Sequence, residues 1–359
     1  MARIRTLIAE DSVTVRKHLL EVLSADPDID VVGEAEDGKR AIELCLELRP
    51  DVITMDMMMP AMTGLAATEY IMAHRPTPIL IVSSSTNRGE LFRTYDALAA
   101  GAVEVLEKSN GRESDGEWER KFLSTVKLVS RIRVITHPRA RLSGHSQVSD
   151  QYPAKAPEFP DLSGIHKLVA IGASTGGPGA IVEIFRSLPP DFRLPVLLVL
   201  HINEPFGAAF ADWLDGQTER RVAYPSDGDS VASVVGRVIM APGDRHLIVR
   251  GGRLWLTRDP ERHSCRPSVD VLFESVAAEY GASAIGCLLT GMGRDGAAGL
   301  LDIRRAGGLT IAQDEATSVI YGMPREAVLL GAATHVLPLR EIAPALVALG
   351  DTSARRRLL

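Results

Sequence analysis

The chain has 359 residues, of which 45% are hydrophobic and 24% are charged, and its formal net charge is −6. This length exceeds what one hydrophobic core usually organises, so we expect two globular domains. The acidic balance argues against direct binding to nucleic acid or to an anionic membrane, since both usually need a basic face. No apolar run approaches the ~18 residues of a membrane span, and Cys45, Cys265 and Cys287 lack metal-ligand spacing. We therefore expect a cytoplasmic protein with reduced, buried thiols.

Residues 3–131 alternate short apolar strands with amphipathic helical stretches, which is typical of a parallel sheet with helices on both faces. The predicted strands cover residues 4–9, 31–35, 52–55, 79–82 and 103–106. Apolar residues at helical spacing follow them, and the fifth helix is predicted at 118–129. This pattern predicts a doubly wound domain with a five-stranded parallel sheet at residues 1–131.

Charged and polar side chains stand where these predicted strands end. Glu10 and Asp11 follow the first strand, Asp56 the third, Ser83 the fourth and Lys108 the fifth. Because the carboxyl ends of parallel strands share one edge of a sheet, these side chains should converge. Three carboxylates would repel one another there unless a hard divalent cation such as Mg²⁺ lay among them.

This edge therefore predicts a magnesium site at which Asp56 accepts a phosphoryl group. Lys108 would neutralise the added charge, and the Ser83 hydroxyl would contact the group. The alternative interpretation is that the acidic residues are helix caps and solvated loop residues.

Over residues 3 to about 131 these features resemble the receiver domain of bacterial two-component response regulators. The resemblance implies a flavodoxin-like fold in which Asp56 is phosphorylated by a histidine kinase. Ser83 and Lys108 would then form the switch pair. The Mg²⁺ ligands that it implies are Glu10, Asp11, Asp56 and the main-chain carbonyl of Met58.

Three positions depart from the receiver pattern. Val105 stands where the family usually has an aromatic residue, and Ser109 follows Lys108 where the family usually has proline. A rotating aromatic side chain at position 105 is therefore excluded as the switch. The Lys108–Ser109 peptide bond should be trans, since a cis non-proline bond costs ~2.5–4 kcal/mol. Glu10 replaces the commoner aspartate, which lengthens one ligand arm.

Residues 132–163 are rich in Pro, Ser, His, Gln and Lys, which predicts a flexible linker. Strand and helix patterns then resume, with predicted strands at 168–171, 196–200, 284–289 and 309–311. Short strands at 238–240, 247–250 and 253–257 indicate an antiparallel hairpin region. We predict a second α/β domain at residues 164–350 and a tail at 351–359. Its sheet should be mostly parallel but mixed, with an antiparallel hairpin.

A Gly-Ala-Ser-Thr-Gly segment at residues 172–176 lies between a predicted strand and a predicted helix. Glycines allow a sharp turn that presents the serine hydroxyl, and the helix start offers N–H donors to an oxyanion. Such a serine needs a base, and the base needs an orienting acid. His201 and Asp295 each follow a neighbouring predicted strand, so both should lie at the same sheet edge as Ser174.

We therefore predict Ser174 as nucleophile, His201 as general base and Asp295 as its orienting acid. The Met292 N–H and donors near Thr175 would line the oxyanion site. The ordinary alternatives are a hydrogen-bonded strand end for His201, a cap of the following helix for Asp295 and a core position for Met292. The order Ser, His, Asp along the chain differs from that of α/β-hydrolases, which argues against that fold.

Five segments of the C-terminal half are similar to the CheB family of chemotaxis protein-glutamate methylesterases: residues 171–178, 240–247, 266–273, 290–299 and 321–327. The resemblance spans residues 164 to about 349. It implies hydrolysis of γ-glutamyl methyl esters on chemoreceptors and deamidation of selected receptor glutamines. It supports Ser174, His201 and Asp295 as the triad, with Thr175 and Met292 lining a site that needs no cofactor. The implied partners are methylated chemoreceptors and the kinase of the chemotaxis system.

Other functions fit parts of the sequence. The C-terminal domain could serve as a receptor-docking or phosphate-sink module with little turnover, or the esterase could act in a sensory pathway other than chemotaxis. A transcriptional regulator is disfavoured, since the sequence shows neither a helix-turn-helix pattern nor a basic face. For the esterase we expect the unphosphorylated receiver to cover the active-site cleft and phosphorylation of Asp56 to weaken that contact, because a flexible linker lets the domains meet.

Overall fold

The computed structural model describes residues 2–84, 87–109, 116–132, 134, 166–202, 206–207 and 209–350. The chain divides into two compact units, Met1–Ser149 and Asp150–Leu359. The predicted linker, apart from positions 132 and 134, and the predicted tail lie outside the described residues, so the domain boundaries stay predictions. No helix in the described part of the chain has the length and apolar character needed to cross a membrane.

The described residues of the first unit form a five-stranded parallel sheet and five helices. Its strands are β1 (Ile4–Ala9), β2 (Ile29–Ala35), β3 (Val52–Met55), β4 (Ile79–Ser83) and β5 (Glu104–Glu107). Its helices are α1 (Val13–Ser24), α2 (Gly38–Leu48), α3 (Gly64–His74), α4 (Arg88–Ala99) and α5 (Glu117–Val129). The strand order is β2-β1-β3-β4-β5, and each neighbouring pair is parallel. The predicted flavodoxin-like sheet is therefore confirmed.

The helices of this unit form two groups, since α1 contacts α5 while α2, α3 and α4 contact one another in sequence. Every residue of β3 and β4 is buried, which explains why these strands are continuous apolar or small-residue runs. Four helices begin at a residue whose side chain accepts a hydrogen bond from the first turn. These N-caps are Ser12, Asp37, Thr63 and Asn87.

The described residues of the second unit form a seven-stranded sheet, a separate two-stranded sheet and six α-helices. Its strands are β6 (Leu168–Ala173), β7 (Val196–Leu200), β8 (Val222–Ala223), β9 (Val238–Met240), β10 (His246–Arg250), β11 (Arg253–Thr257), β12 (Ala284–Leu288), β13 (Leu309–Gln313) and β14 (His335–Leu337). Its helices are α6 (Gly177–Ser187), α7 (Phe210–Gln217), α8 (Val269–Tyr280), α9 (Ala297–Arg305), α10 (Met323–Leu329) and α11 (Leu339–Gly350). The large sheet has the order β14-β13-β12-β6-β7-β9-β8.

The expectation of a mixed sheet is wrong, because every neighbouring pair in the seven-stranded sheet is parallel. The antiparallel hairpin exists, but β10 and β11 form it as a sheet of their own. Strand β9, predicted within that hairpin region, pairs with β7 instead. All three of its residues are buried, as in a parallel strand covered on both faces. Gly251 and Gly252 both have positive φ, as a two-residue hairpin turn requires, and they connect β10 to β11.

The order of the large sheet reverses beside β6. The chain places β7, β9 and β8 on one side of β6, and β12, β13 and β14 on the other. Ligands in open parallel sheets bind beyond the carboxyl ends of the strands at such a reversal. A ligand site is therefore expected at the edge where β6, β7 and β12 end.

Candidate active site

Ser174 lies where β6 passes into α6. Ala173 pairs with Leu200 across β6 and β7, and the His201 N–H donates to the Ala173 carbonyl over 3.0 Å. Ser174 and His201 therefore follow paired residues on neighbouring strands. Gly176 has a φ of +77°, and a Cβ there would lie 2.5 Å from Cβ of Val319. Only glycine suits this turn, which brings the start of α6 directly behind the serine.

The loop after β12 packs against the serine. The Ser174 N–H donates to the Thr290 carbonyl over 3.0 Å, and a Cβ added to Gly291 would lie 2.8 Å from Cβ of Ser174. Thr290 is held in turn, since its N–H donates to the side-chain oxygen of buried Gln313 and its hydroxyl donates to the Thr175 carbonyl. These bonds fix the approach of the loop to Ser174.

His201 and Asp295 are in direct contact. Nε2 of the imidazole lies 2.9 Å from Oδ2 of the carboxylate, and their side chains are 15% and 3% exposed. Among the described residues, no hydrogen bond joins the Ser174 hydroxyl to the imidazole. The structure thus brings the predicted base and acid together and places the predicted nucleophile at the adjoining strand end. Catalytic hydrogen bonds are often long in ligand-free enzymes and tighten when substrate binds.

The Asp295 carboxylate lies at the N-terminus of α8. Its Oδ1 accepts from the Ser268 hydroxyl over 2.7 Å and from the Asp270 N–H over 3.1 Å. Its Oδ2 accepts from the Val269 N–H over 2.7 Å. The cap of the following helix α9 is Gly296, without a side-chain bond, so Asp295 does not cap its own helix. Backbone donors and the helix dipole of α8 stabilise the negative charge instead.

These contacts move both pKa values. Burial alone would raise the pKa of Asp295, but hydrogen bonds from His201, Ser268 and Val269 hold it below its usual range. Burial alone would lower the pKa of His201, but Asp295 and the neighbouring Cys265 thiol raise it to about 9. The carboxylate therefore stays ionised at neutral pH, and the imidazole binds its second proton strongly.

Met292 and Thr175 differ in exposure. The Met292 side chain is 53% exposed, which rules out the alternative of a core position, while Thr175 is buried. Gly291, which precedes Met292, is pinned because it donates to the Ile320 carbonyl and accepts from the Gly322 and Met323 N–H groups. The Met292 main chain is consequently held one residue from the contact with Ser174.

The predicted acidic site of the first unit also forms a cluster. The Lys108 ammonium lies 2.8 Å from Oε2 of Glu10 and 3.1 Å from Oδ1 of Asp56. Oxygen atoms of Glu10, Asp11 and Asp56 lie within 4.8 Å of one another. Burial raises the pKa of Glu10; it would lower that of Lys108, but the charges of Asp56 and Glu10 raise it. Three converging carboxylates are the hard oxygen ligands that Mg²⁺ prefers, so the residues fit this ion.

The remaining predicted receiver residues lie around this cluster. Ser83 is buried at the end of β4, and its carbonyl accepts from the Lys108 N–H over 3.0 Å. Met58 has a side chain 41% exposed beside Arg93, and the role of its carbonyl stays a prediction. The Lys108–Ser109 bond is trans, since Arg266–Pro267 is the cis bond found among the described residues.

Both halves of the chain match models of known protein families. Residues 6–114 match the model of the response regulator receiver domain, and residues 169–346 match that of the CheB methylesterase. A protein-glutamate methylesterase/protein-glutamine glutaminase of Nitrosospira multiformis is 43% identical over 346 residues, covering 96% of both chains. The chain belongs to the CheB methylesterase family. Another enzyme of that name, from Anaeromyxobacter dehalogenans, is 43% identical over 343 residues and 96% of each chain.

The solved structures similar to this CheB family member include the methylesterase catalytic domain of Thermotoga maritima CheB. It is 36% identical, covers 51% of this chain and 98% of that domain, and gives a TM-score of 0.49. Membership of the CheB family does not remove the departures from the usual receiver pattern at Glu10, Val105 and Ser109. Val105, which stands where receiver domains usually have an aromatic residue, is buried in β5.

Several residues beside the site were not singled out by the sequence analysis. Ser268 precedes an apolar run with helical spacing, and that N-cap signal would have found the start of α8. Gln313 is the last residue of β13 and gave no signal for its bond to Thr290. Cys45 and Cys287 are buried as expected, but that expectation is wrong for Cys265, which is partly exposed beside His201.

Proposed function

We propose that this chain hydrolyses γ-glutamyl methyl esters on chemoreceptors and deamidates selected receptor glutamines, with Ser174 as the nucleophile. The observation that carries the proposal is the 2.9 Å bond between His201 and Asp295 at the strand end beside Ser174. The names of the two relatives above support the same pair of reactions.

In the first half of the reaction the Ser174 hydroxyl attacks the carbonyl carbon of the ester. Its proton passes to Nδ1 of His201, the ring nitrogen that does not face Asp295. When the tetrahedral intermediate collapses, His201 returns the proton to the departing methoxide, and methanol leaves. A glutamyl ester of Ser174 remains.

In the second half, His201 takes a proton from water, and the resulting hydroxide attacks the glutamyl ester. When this intermediate collapses, His201 returns that proton to the Ser174 oxygen, which restores the hydroxyl and releases a glutamate side chain. A glutamine amide follows the same steps and releases ammonia in place of methanol. The base therefore works twice in each turnover.

The oxyanion of both intermediates needs donors that are in place beforehand. The Met292 N–H, on the loop pinned beside Ser174, and donors near Thr175 at the start of α6 are the candidates. Loss of one such donor typically costs ~2.7–4 kcal/mol in the transition state. The positive charge that forms on His201 is balanced by Asp295, which the N-terminus of α8 keeps ionised.

Phosphorylation of Asp56 regulates this hydrolysis in our proposal. Mg²⁺ would be held by Glu10, Asp11 and Asp56 with the Met58 carbonyl. When bound, it neutralises charge on the transferred phosphoryl group. Lys108, which now contacts Asp56, pairs with the new phosphate, and the Ser83 hydroxyl contacts it. The phosphodonor would be the kinase of the chemotaxis system.

Mass spectrometry of methylated receptor peptides tests the proposed function. We expect the wild-type chain to remove methyl esters and to convert some glutamines to glutamates, and Ser174→Ala to do neither. Ser187→Ala is the matched control, since Ser187 is an exposed residue at the end of the same helix. If Ser174→Ala kept the activity, or if the wild-type chain only bound the receptor, the docking alternative would replace the esterase.

A further inference from the structure

Cys265 lies beside the His201 ring, within reach of both the imidazole and the Asp295 carboxylate. Its Sγ is 3.9 Å from Nδ1, while Nε2 bonds to the Asp295 carboxylate. The Cys265 sulfur, an imidazole nitrogen and a carboxylate oxygen of Asp295 lie within 4.8 Å of one another. A thiolate and an imidazole together select zinc and similar transition metals over Mg²⁺ and Ca²⁺.

We propose that Cys265 Sγ and His201 Nδ1 bind zinc or a similar divalent transition metal, with water completing the coordination. Typical Zn–S and Zn–N bonds in a tetrahedral site put the sulfur and the nitrogen about 3.6 Å apart. The observed 3.9 Å is therefore a few tenths of an ångström from that requirement. Cys265 is partly exposed, so an ion can reach the sulfur from solvent.

Asp295 serves this site as the outer partner of the histidine. Its two oxygens already accept bonds from Ser268, Val269 and Asp270, which leaves it placed to hold Nε2–H rather than the ion. A carboxylate on one imidazole nitrogen fixes the tautomer and makes the other nitrogen a better metal ligand. Nδ1 therefore carries the free lone pair, 3.9 Å from Cys265 Sγ.

Metal binding would stop hydrolysis, and this consequence rests on the proposed function. The ion occupies the Nδ1 lone pair that otherwise takes the Ser174 proton. Removal of the ion with a chelator restores the free base. The site would thus inhibit the enzyme reversibly in the presence of zinc.

Cobalt(II) titration of the full chain tests the metal site without an activity assay. Excess Mg²⁺ is present throughout to saturate the acidic cluster of the first unit. We expect the wild-type chain to show a thiolate-to-cobalt charge-transfer band that Cys265→Ser lacks, although this variant keeps the two buried thiols, Cys45 and Cys287. His263→Gln, a change in a histidine whose carbonyl accepts from the Cys265 thiol, should keep the band, and His201→Gln should weaken cobalt binding at least about tenfold.

Circular dichroism of each variant confirms that it is folded, and Cys265→Ala replaces Cys265→Ser if that variant is not. A wild-type chain without the band, or a Cys265 variant that retains it, would overturn the proposal.

Zinc inhibition of methanol release is then measured relative to the metal-free rate of each protein. Cys265→Ser should need at least about tenfold more zinc than wild type. Equal sensitivity contradicts the metal site, whereas cobalt binding to wild type without inhibition supports the site and contradicts His201 as the base.

Discussion

The Asp295 carboxylate accepts four hydrogen bonds, from the His201 ring, the Ser268 hydroxyl and the N–H groups of Val269 and Asp270. They explain how a nearly buried acid stays charged, and that charge raises the pKa of His201. A base with a raised pKa is a stronger proton acceptor, but less of it is in the basic form at neutral pH. The pH dependence of the reaction follows directly from this balance.

We predict that kcat/KM rises with pH up to about 9, because the neutral imidazole becomes dominant only above the pKa of His201. Asp295→Asn removes the main group that raises this pKa, so the rising limb should move to lower pH. The rate should also fall by about 10²–10⁴-fold, since the imidazolium loses its partner. Methanol release measured from pH 6 to about 10 on one methylated substrate checks both effects. If kcat/KM of both proteins rose around the ordinary pKa of histidine, the raised pKa of His201 would be contradicted.

At single residues the sequence predicted Ser174, His201 and Asp295 because each stands at or just beyond the end of a predicted strand. It did not predict Cys265 beside the imidazole or Ser268 on the carboxylate. Both reach the site from the segment between β11 and α8, and no periodicity or spacing relates that segment to β6. Only the folded chain brings them together.

At the level of elements, the N-terminus of α8 positions the candidate site residues as the strand ends do, because it binds the Asp295 carboxylate. The Ser268 hydroxyl makes two bonds, since it donates to Asp295 and accepts from the Val271 N–H as the N-cap. Helix α8 also contacts β6, β10 and α9, so its position is fixed by packing. Asp295 is therefore oriented by a helix that contributes no residue to the proposed catalytic triad.

Ser268→Ala should lower the stability of the second unit and the rate of hydrolysis together. Loss of an N-cap costs about 1 kcal/mol, and the bond to Asp295 is lost as well. Asp37→Ala is the control, because it removes the N-cap of α2 in the first unit. Thermal unfolding and methanol release of both variants test this. A Ser268→Ala enzyme as active as Asp37→Ala would show that Asp295 does not need the bond.

Gly291→Ala should disable the site through a close contact. The added methyl would lie 2.3 Å from Sδ of Met323 and 2.8 Å from Cβ of Ser174, so the loop or the serine must move. Displacement of reacting groups by about 1 Å costs on the order of 100-fold in rate. Gly216→Ala is the matched control, because its methyl would meet nothing within 4 Å. Comparable rates for the two variants would contradict the tight packing of this loop.

Among the elements, the positions of most strands were predicted correctly, but the pairing of one strand and the presence of two edge strands were not. The bounds of β1, β3 and β7 agree with the predicted 4–9, 52–55 and 196–200. The short edge strands β8 and β14 were missed, since two or three residues give no pattern to detect. Strand β9 was assigned to the hairpin because its sequence neighbours are turn residues, whereas its pairing depends on distant β7.

At the level of the whole molecule, the chain joins a receiver unit to an esterase unit, and the order of motifs in the sequence predicted both. The acidic cluster and the triad residues are far apart in sequence, yet each is built from strand ends of its own parallel sheet. The regulatory step that we propose is a single charge change at Asp56, where Lys108 already balances two carboxylates. The sequence patterns did not predict how this charge change is transmitted, because position 105 is valine rather than the aromatic residue usual in receiver domains.

We predict that a small acyl phosphate with Mg²⁺ raises the rate of methanol release by the full chain. Asp56→Asn should not respond, because it lacks the accepting carboxylate. Asp51→Asn is a suitable control, since Asp51 is an exposed acid just before the same strand. Equal stimulation of Asp56→Asn and wild type would rule out Asp56 as the regulatory acceptor.

Nucleophilic attack by Ser174 is tested by quenching the reaction with a methylated receptor within one turnover and analysing the enzyme peptides by mass spectrometry. We expect a glutamyl adduct on Ser174, with methanol released in a burst equal to the enzyme concentration. His201→Gln should form little adduct. Methanol release without any adduct on Ser174, or an adduct on another residue, would contradict the proposed mechanism.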